Sequence, residues 1–373
     1  MNFDFSDELH MLREQARRFL QDRCPTSAVR KVLEGGDSFD RGLWQGIAEM
    51  GWLGAAVPEA YGGVDLGRES LCVLAEEMGR AIAPVPFASS VCLVTDAILT
   101  HGDSAAREQC LPGLVSGQRI GCFALAEGVG NPRPAGVKAQ VRGGKLSGEK
   151  WPVADGDIAD LAVVVARNDQ GEPGLYLVEL GAAGVSRSTL RSIDPSRNQS
   201  QLRFDGVPAQ PLSQGAQGWA AVEALLDRAA VLVAFEQLGG ASACLEMATA
   251  YAKERYAFGR PIGSFQAIKH KLADVYMAVE LARSNAYYGA WALSTGAAEL
   301  PLAAATARVA ATEAFHQASK ENIQTHGGMG FTWQMDCHLY YRRAKMLAVQ
   351  LGSAPYWKNR LVERWSASSP AAA

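Results

Sequence analysis

The sequence predicts a mainly helical α+β protein, and three observations carry that expectation. Amphipathic helical spacing fills the chain to near Gly117. Short β-branched runs separated by Gly, Asp, Asn and Pro then replace it, and the helical period returns from Trp219 to Trp365. The expected division is a helical domain over residues 1–117, a compact antiparallel β domain over 118–212, and a helical bundle over 213–373. A chain of 373 residues is long enough to bury cores in two or three such units.

The opening helix is predicted from Ser6, an N-cap, with Asp7 and Glu8 in its first turn and Leu9, Leu12, Ala16, Phe19 and Leu20 at helical spacing. A second helix over residues 43–50 stops at Gly51, and the loop 58–63, with Gly62 and Gly63, must turn sharply. Helices follow over 69–80 and 105–114. Strands are predicted at 121–126, 138–142, 161–167, 175–180 and 201–204, with a hairpin loop at 168–174. In the last third, Ile268, Leu272, Val275 and Val279 advance by helical steps, which places them on one buried face. The alanine-rich run 302–318 suits close helix packing, and 366–373 reads as a frayed tail.

Composition narrows the function classes. Lys and Arg number 36 against 39 Asp and Glu, a net charge of −3 that offers no global field for nucleic acid or an anionic membrane. Seven scattered cysteines without a C-x-x-C pair suggest neither a disulfide framework nor a zinc site, and a reducing cytoplasm is the natural compartment. The acidic N-terminus is unlike a signal peptide. No stretch is expected to span a bilayer.

Two segments carry chemistry. From Glu254 to Gln266 the chain leaves one helix, turns through Gly259-Arg260-Pro261 and enters another, a corner that can present Arg255 and Gln266 to a ligand. The planar guanidinium fork of Arg255 matches phosphate oxygens, although a solvated surface arginine has the same sequence. From Ile323 to Phe331 a helix ends in Gly327, Gly328 and Gly330, whose backbone can approach a cofactor closely. An ordinary helix C-cap accounts for one of those glycines. His326 has no second ligand at metal spacing and is expected to be packed or hydrogen-bonded.

In this order the two segments resemble the R-x-x-F-G-x-x-I-x-x-F-Q and Q-x-x-G-G-x-G-[FY] motifs of the acyl-CoA dehydrogenase family. The resemblance extends to Phe5-Ser6-Asp7-Glu8, to Gly51-Trp52-Leu53-Gly54 with Pro58-Glu59-Ala60-Tyr61-Gly62-Gly63, and to Arg342-Arg343-Ala344-Lys345. It implies an N-terminal helical domain, a middle β domain and a C-terminal four-helix bundle. The implied assembly is a homodimer or homotetramer, or a heterotetramer with a second chain of the family. It also implies FAD, an acyl-CoA substrate, electron-transfer flavoprotein as acceptor, and a place in fatty acid or steroid side-chain catabolism. Arg255, Phe258, Gln266, Gln324, Gly327 and Gly328 would contact FAD, with Gln324 and its glycines reaching the flavin nucleotide of a neighbouring subunit, and Leu125, Ala126, Trp151 and Ser353 would contact it too.

The family's reaction removes the proton α to a CoA thioester while flavin N5 takes the β hydrogen as hydride. Here the sequence departs from its relatives. The usual glutamate of Y-E-G-[TS] falls at Leu351, which accepts no proton. Some members place the carboxylate near the start of the first bundle helix before an arginine, and Asp227-Arg228 resembles that pair, as base and substrate-binding residue. Ungapped counting puts Ala229 at that site, and Asp227 alternatively complements the helix dipole; Glu236 is the other carboxylate on this helix. Where relatives read T-E-P-x-x-G-S and W-I-[TS], this chain has Ala126-Glu127-Gly128-Val129-Gly130-Asn131-Pro132 and Pro152-Val153-Ala154, with Trp151 one place early. The leading reading is an acyl-CoA dehydrogenase using Asp227 or a nearby carboxylate; the alternatives are a structural or half-site subunit in a mixed oligomer, a flavin-dependent monooxygenase or oxidase, and, weakest, a helical scaffold without cofactor.

Overall fold

Ser6 closes the start of α1 (Asp7–Arg23): its hydroxyl accepts from the Leu9 amide at 3.3 Å, and Leu9, Leu12, Ala16 and Leu20 are buried as their spacing requires. The structure, a computed structural model, describes residues 5–35, 37–212 and 218–368. The first four residues of the acidic opening, the start of the third expected domain at 213–217, and the tail at 369–373 lie outside the described residues.

The chain packs as two units. The first takes its described residues from 1–27, 72–83 and 230–373. It holds α1, most of α4 (Arg68–Arg80), and α7 (Trp219–Glu254) from Ala230 onward. It also holds α8 (Gln266–Thr295), α9 (Leu300–His326), α10 (Cys337–Leu347) and α11 (Ala354–Ser368). Here α4 and α7 cross backbone to backbone: a Cβ on Gly79 would collide with the Glu236 carbonyl, and one on Gly239 with the Glu76 carbonyl. Only glycine allows that approach, and it fixes the height of Glu236 on α7. On α8, Val275 and Val279 are buried as expected, whereas Ile268 and Leu272 are half-buried. The helix α11 runs on through Ser368, into the segment expected to fray.

The second unit takes residues 28–71 and 84–229. Its helices include most of α2 (Thr26–Leu33), α3 (Arg41–Glu49), α5 (Asp96–His101), entered from a π-helical stretch at Ala88–Thr95, and α6 (Ser104–Val115). Its sheet runs in the order β6 (Val185–Leu190), β7 (Gln199–Pro208), β3 (Lys145–Ala154), β2 (Gln140–Arg142), β4 (Leu161–Arg167), β5 (Pro173–Glu179) and β8 (Gln210–Pro211). The sheet is mixed. Most neighbours are antiparallel, but β1 (Gly121–Ala124) and β2 both join β4 in parallel. The β4–β5 hairpin closes where the sequence placed it, with Asn168 Oδ1 accepting from the Gln170 and Glu172 amides at 3.0 and 2.8 Å. Two of the longer strands gave no readable signal: β3 carries Gly148 and three charged residues, and β6 is an exposed edge strand paired, among the described residues, only with β7.

One expectation needs correction. By length and composition α7 is apolar enough to cross a bilayer, contrary to the reading that no stretch approaches this. Its most apolar window is 83% buried inside the protein, which is how a core helix of this length satisfies the same test.

Candidate functional site

The corner after α7 folds as a two-residue hairpin. β9 (Tyr256–Ala257) pairs with β10 (Arg260–Pro261), and the turn between them places Phe258 at φ 52° and Gly259 at φ 78°. A hairpin twisted this way needs two positive φ values, which glycine supplies freely and phenylalanine only under strain. The Phe258 ring is thereby held in solvent, 94% exposed, edge-on to Phe265 at 6.2 Å, and Arg260 lies over Phe265 at 4.1 Å. Arg255 and Gln266, at the two ends of this corner, are both exposed.

The glycine bend is tied to the same region. Gly327 caps α9 at φ 62°, and a Cβ on Gly330 would strike the Ile323 carbonyl, so two of the three glycines answer to backbone geometry. His326 is packed as expected: Nδ1 lies 2.8 Å from the Asn322 carbonyl and the ring stacks on Tyr251 of α7 at 4.1 Å. That stack joins the end of α9 to the last turn of α7, just before Arg255.

The donor set fits a flat anionic nucleotide such as FAD. Among the described residues the side chains of Arg255, Gln266 and Gln324 make no hydrogen bond or ion pair, so their donors are available. A Cβ added at Gly327 or Gly328 would meet nothing within 4 Å, which leaves the bend open to a ligand's edge. Ser353 stands half-buried just before α11 in the same unit.

In the second unit Leu125, Ala126 and Trp151 are brought together. The Trp151 amide donates to the Ala126 carbonyl and the Gly128 amide to the Trp151 carbonyl, both at 2.8 Å, so the indole sits half-buried beside the 125–128 edge. The edge is bolted from below by Lys150, which is fully buried. Its ammonium donates to Glu127 Oε1 at 2.6 Å and to the Leu125 carbonyl at 3.1 Å. Glu127 in turn accepts from the Lys138 and Ala139 amides at 2.8 and 3.0 Å. Burial drives the Lys150 pKa down to about 8.

Asp227 is buried, 4% exposed, and lies about two turns inside α7, too deep to complement the helix dipole. Arg228 is committed to Asp96: Nε donates to Oδ2 at 2.5 Å, while Arg68 Nε takes the other oxygen at 2.9 Å. Burial and the Arg228 charge both lower the pKa of nearby His101. In the first unit Glu236 is buried 3.4 Å from Arg343, whose guanidinium also donates to the Ile82 carbonyl at 3.2 Å. Asp96, Lys150 and Arg308 were not singled out from sequence. For Asp96 and Arg308 the cue was a charged residue inside an apolar run, while Lys150, beside Glu149, carried none; burial is what gives such residues meaning.

Comparison with known proteins places this geometry. The family description "Acyl-CoA dehydrogenase, N-terminal domain" matches residues 6–118 and "Acyl-CoA dehydrogenase, C-terminal domain" matches 216–365. The chain is 32% identical over 339 residues to acyl-CoA dehydrogenase IpdE2 of Mycobacterium tuberculosis, covering 91% of each. Among solved structures, a variant of the Tcur3481-Tcur3483 steroid ACAD is 36% identical with a TM-score of 0.87, over 97% of this chain and 99% of that one. The ChsE4-ChsE5 complex of Mycobacterium tuberculosis is 28% identical with a TM-score of 0.90, over all of both chains. These define the class as acyl-CoA dehydrogenases, which are oxidoreductases. The chain belongs to the acyl-CoA dehydrogenase family.

Proposed function

We propose that this chain is an FAD-binding, half-site subunit of a mixed acyl-CoA dehydrogenase that desaturates an acyl-CoA thioester between its α and β carbons. The observation that carries the reading is Leu351, the position at which counting from Arg342-Arg343-Ala344-Lys345 puts the family's usual proton-accepting glutamate. Glu236 on α7 is buried against Arg343 and offers no substitute. A partner chain of the same family would then supply the base, and electron-transfer flavoprotein would remove electrons. Two similar solved structures, the Tcur3481-Tcur3483 steroid ACAD and the ChsE4-ChsE5 complex, pair two chains, which favours such an assembly over a homodimer or homotetramer. A cytoplasmic location accords with seven cysteines that are all buried.

When bound, the flavin of FAD supplies the two-electron oxidation. The chain's part is to hold and cover it. Arg255 would neutralise the pyrophosphate, with Phe258 and Gln266 on the same corner; Gln324, Gly327 and Gly328 would give an open backbone edge to the nucleotide of a neighbouring subunit. Leu125, Ala126, Trp151 and Ser353 would exclude water around the ring system.

A second reading is favoured by one observation: Asp227 is buried, 4% exposed, and removal from water is one condition that suits a carboxylate base. Arg228 would then orient substrate only if released from Asp96.

The experiment is purification of the chain alone and with a co-expressed partner, followed by anaerobic addition of an acyl-CoA. FAD retained and bleached only in the mixed assembly is the expected result. Bleaching by the lone chain, abolished by Asp227→Asn with FAD still bound, would replace this proposal with the Asp227 reading.

A further inference from the structure

The turn between α10 and α11 bends through a residue poorly suited to bending. Leu351 takes φ 62°, where its Cβ crowds the following carbonyl. Gly352 follows at φ 116°, and a Cβ there would lie 2.5 Å from the Tyr356 ring. A leucine persists in this conformation only where its surroundings over-determine it.

Beneath the turn lies Arg308 of α9, 1% exposed. Its Nη2 donates to two carbonyls of the turn at once, those of Leu347 and of Gln350, the latter at 2.9 Å. Its Nη1 donates to Gln237 Oε1 of α7 and to Thr312 Oγ1 at 2.7 Å. All four acceptors are neutral, and among the described residues no carboxylate pairs with it within salt-bridge distance. Burial pushes Arg308 down to about 9, against the pull of Glu236. An isolated buried cation is costly, so an apolar side chain would serve better if packing were all that was needed. What a guanidinium adds is a planar fork that grips several carbonyls in fixed directions.

We propose that Arg308 is a positioning residue: it clamps the strained 347–352 turn to α7 and α9 and so sets the direction in which residues 351–353 are presented. Its consequence for FAD retention rests on the reading of Ser353 as a cofactor contact; the clamp itself does not.

The test is hydrogen exchange of amides 349–353 in the protein as purified, through a double-mutant cycle of Arg308→Met and Leu351→Asn, since asparagine tolerates the left-handed conformation. Arg308→Met should speed exchange about tenfold. In the Leu351→Asn background that increase should shrink clearly. Equal increases in both backgrounds, or none in either, would overturn the clamp. If Arg308→Met does not fold, Arg308→Lys replaces it in the cycle, keeping the charge but not the fork. Wild-type exchange in Arg308→Lys would also overturn the proposal. FAD dissociation followed in the same variants should rise with exchange. Coupled exchange with unchanged FAD dissociation would reject the Ser353 contact and leave the clamp standing.

Discussion

Arg228 and Arg68 grip one carboxylate between them: Asp96 receives the first at 2.5 Å on Oδ2 and the second at 2.9 Å on Oδ1. Asp96 is buried, Arg228 nearly so, and Arg68 retains 36% of its side-chain exposure. Asp96→Asn should therefore strand the Arg228 charge more than that of Arg68, costing about 3 kcal/mol. Urea unfolding of the two proteins checks this, and a loss below about 0.5 kcal/mol would mean that water already serves Arg228.

Leu351 gives the half-site reading a gain-of-function test. Leu351→Glu puts a carboxylate on the turn that Arg308 clamps. With FAD and an acyl-CoA supplied to the chain alone, single-turnover flavin bleaching should rise at least about a hundredfold over wild type. No rise, with FAD bound and the fold intact, would show that the missing base belongs elsewhere.

Arg255→Ala should raise the Kd for FAD about tenfold or more, because a charge-assisted contact to phosphate is lost, and should flatten its salt dependence. Arg255→Lys should recover part of the affinity as a point charge. Fluorescence titration reads both; an unaltered Kd in the alanine variant removes Arg255 from the site.

Lys150 predicts a pH dependence of defined sign. Desolvation holds its pKa at about 8 in the folded protein against an ordinary 10.5, with Glu127 opposing the shift. Between those values the unfolded chain binds more protons than the folded one, so this lysine's contribution to stability rises with pH across the window and is least favourable below about 8. The unfolding free energy of wild type minus that of Lys150→Met should climb from pH 8 to 10.5. A flat difference would mean that water reaches the ammonium.

The parts legible in advance are those where local chemistry and tertiary structure ask for the same thing. The Ser6 cap, the β4–β5 hairpin, and the glycines at 259 and 327 each follow from backbone geometry over a few residues. The edge strand β6 was missed because its polar, exposed residues carry no alternation, and the interrupted β3 because Gly148 and its charged residues break the pattern while its partner β7 lies some way along the chain. His326 was correctly placed among packed residues because a lone histidine has few other uses, yet its partner Tyr251 could not be named.

The order of the segments, the arginine corner and glycine bend that resemble family motifs, and the leucine at 351 are properties of the chain, readable without coordinates because each depends on residue type and short spacing. Folding alone decided that Arg228 belongs to Asp96, that Glu236 is spent on Arg343, and that an arginine in an alanine-rich helix lies under the 347–352 turn. Those outcomes turn on burial and on which distant groups meet. The strength of a charge's interactions is set by the water removed around it, a quantity that exists only once the helices have packed.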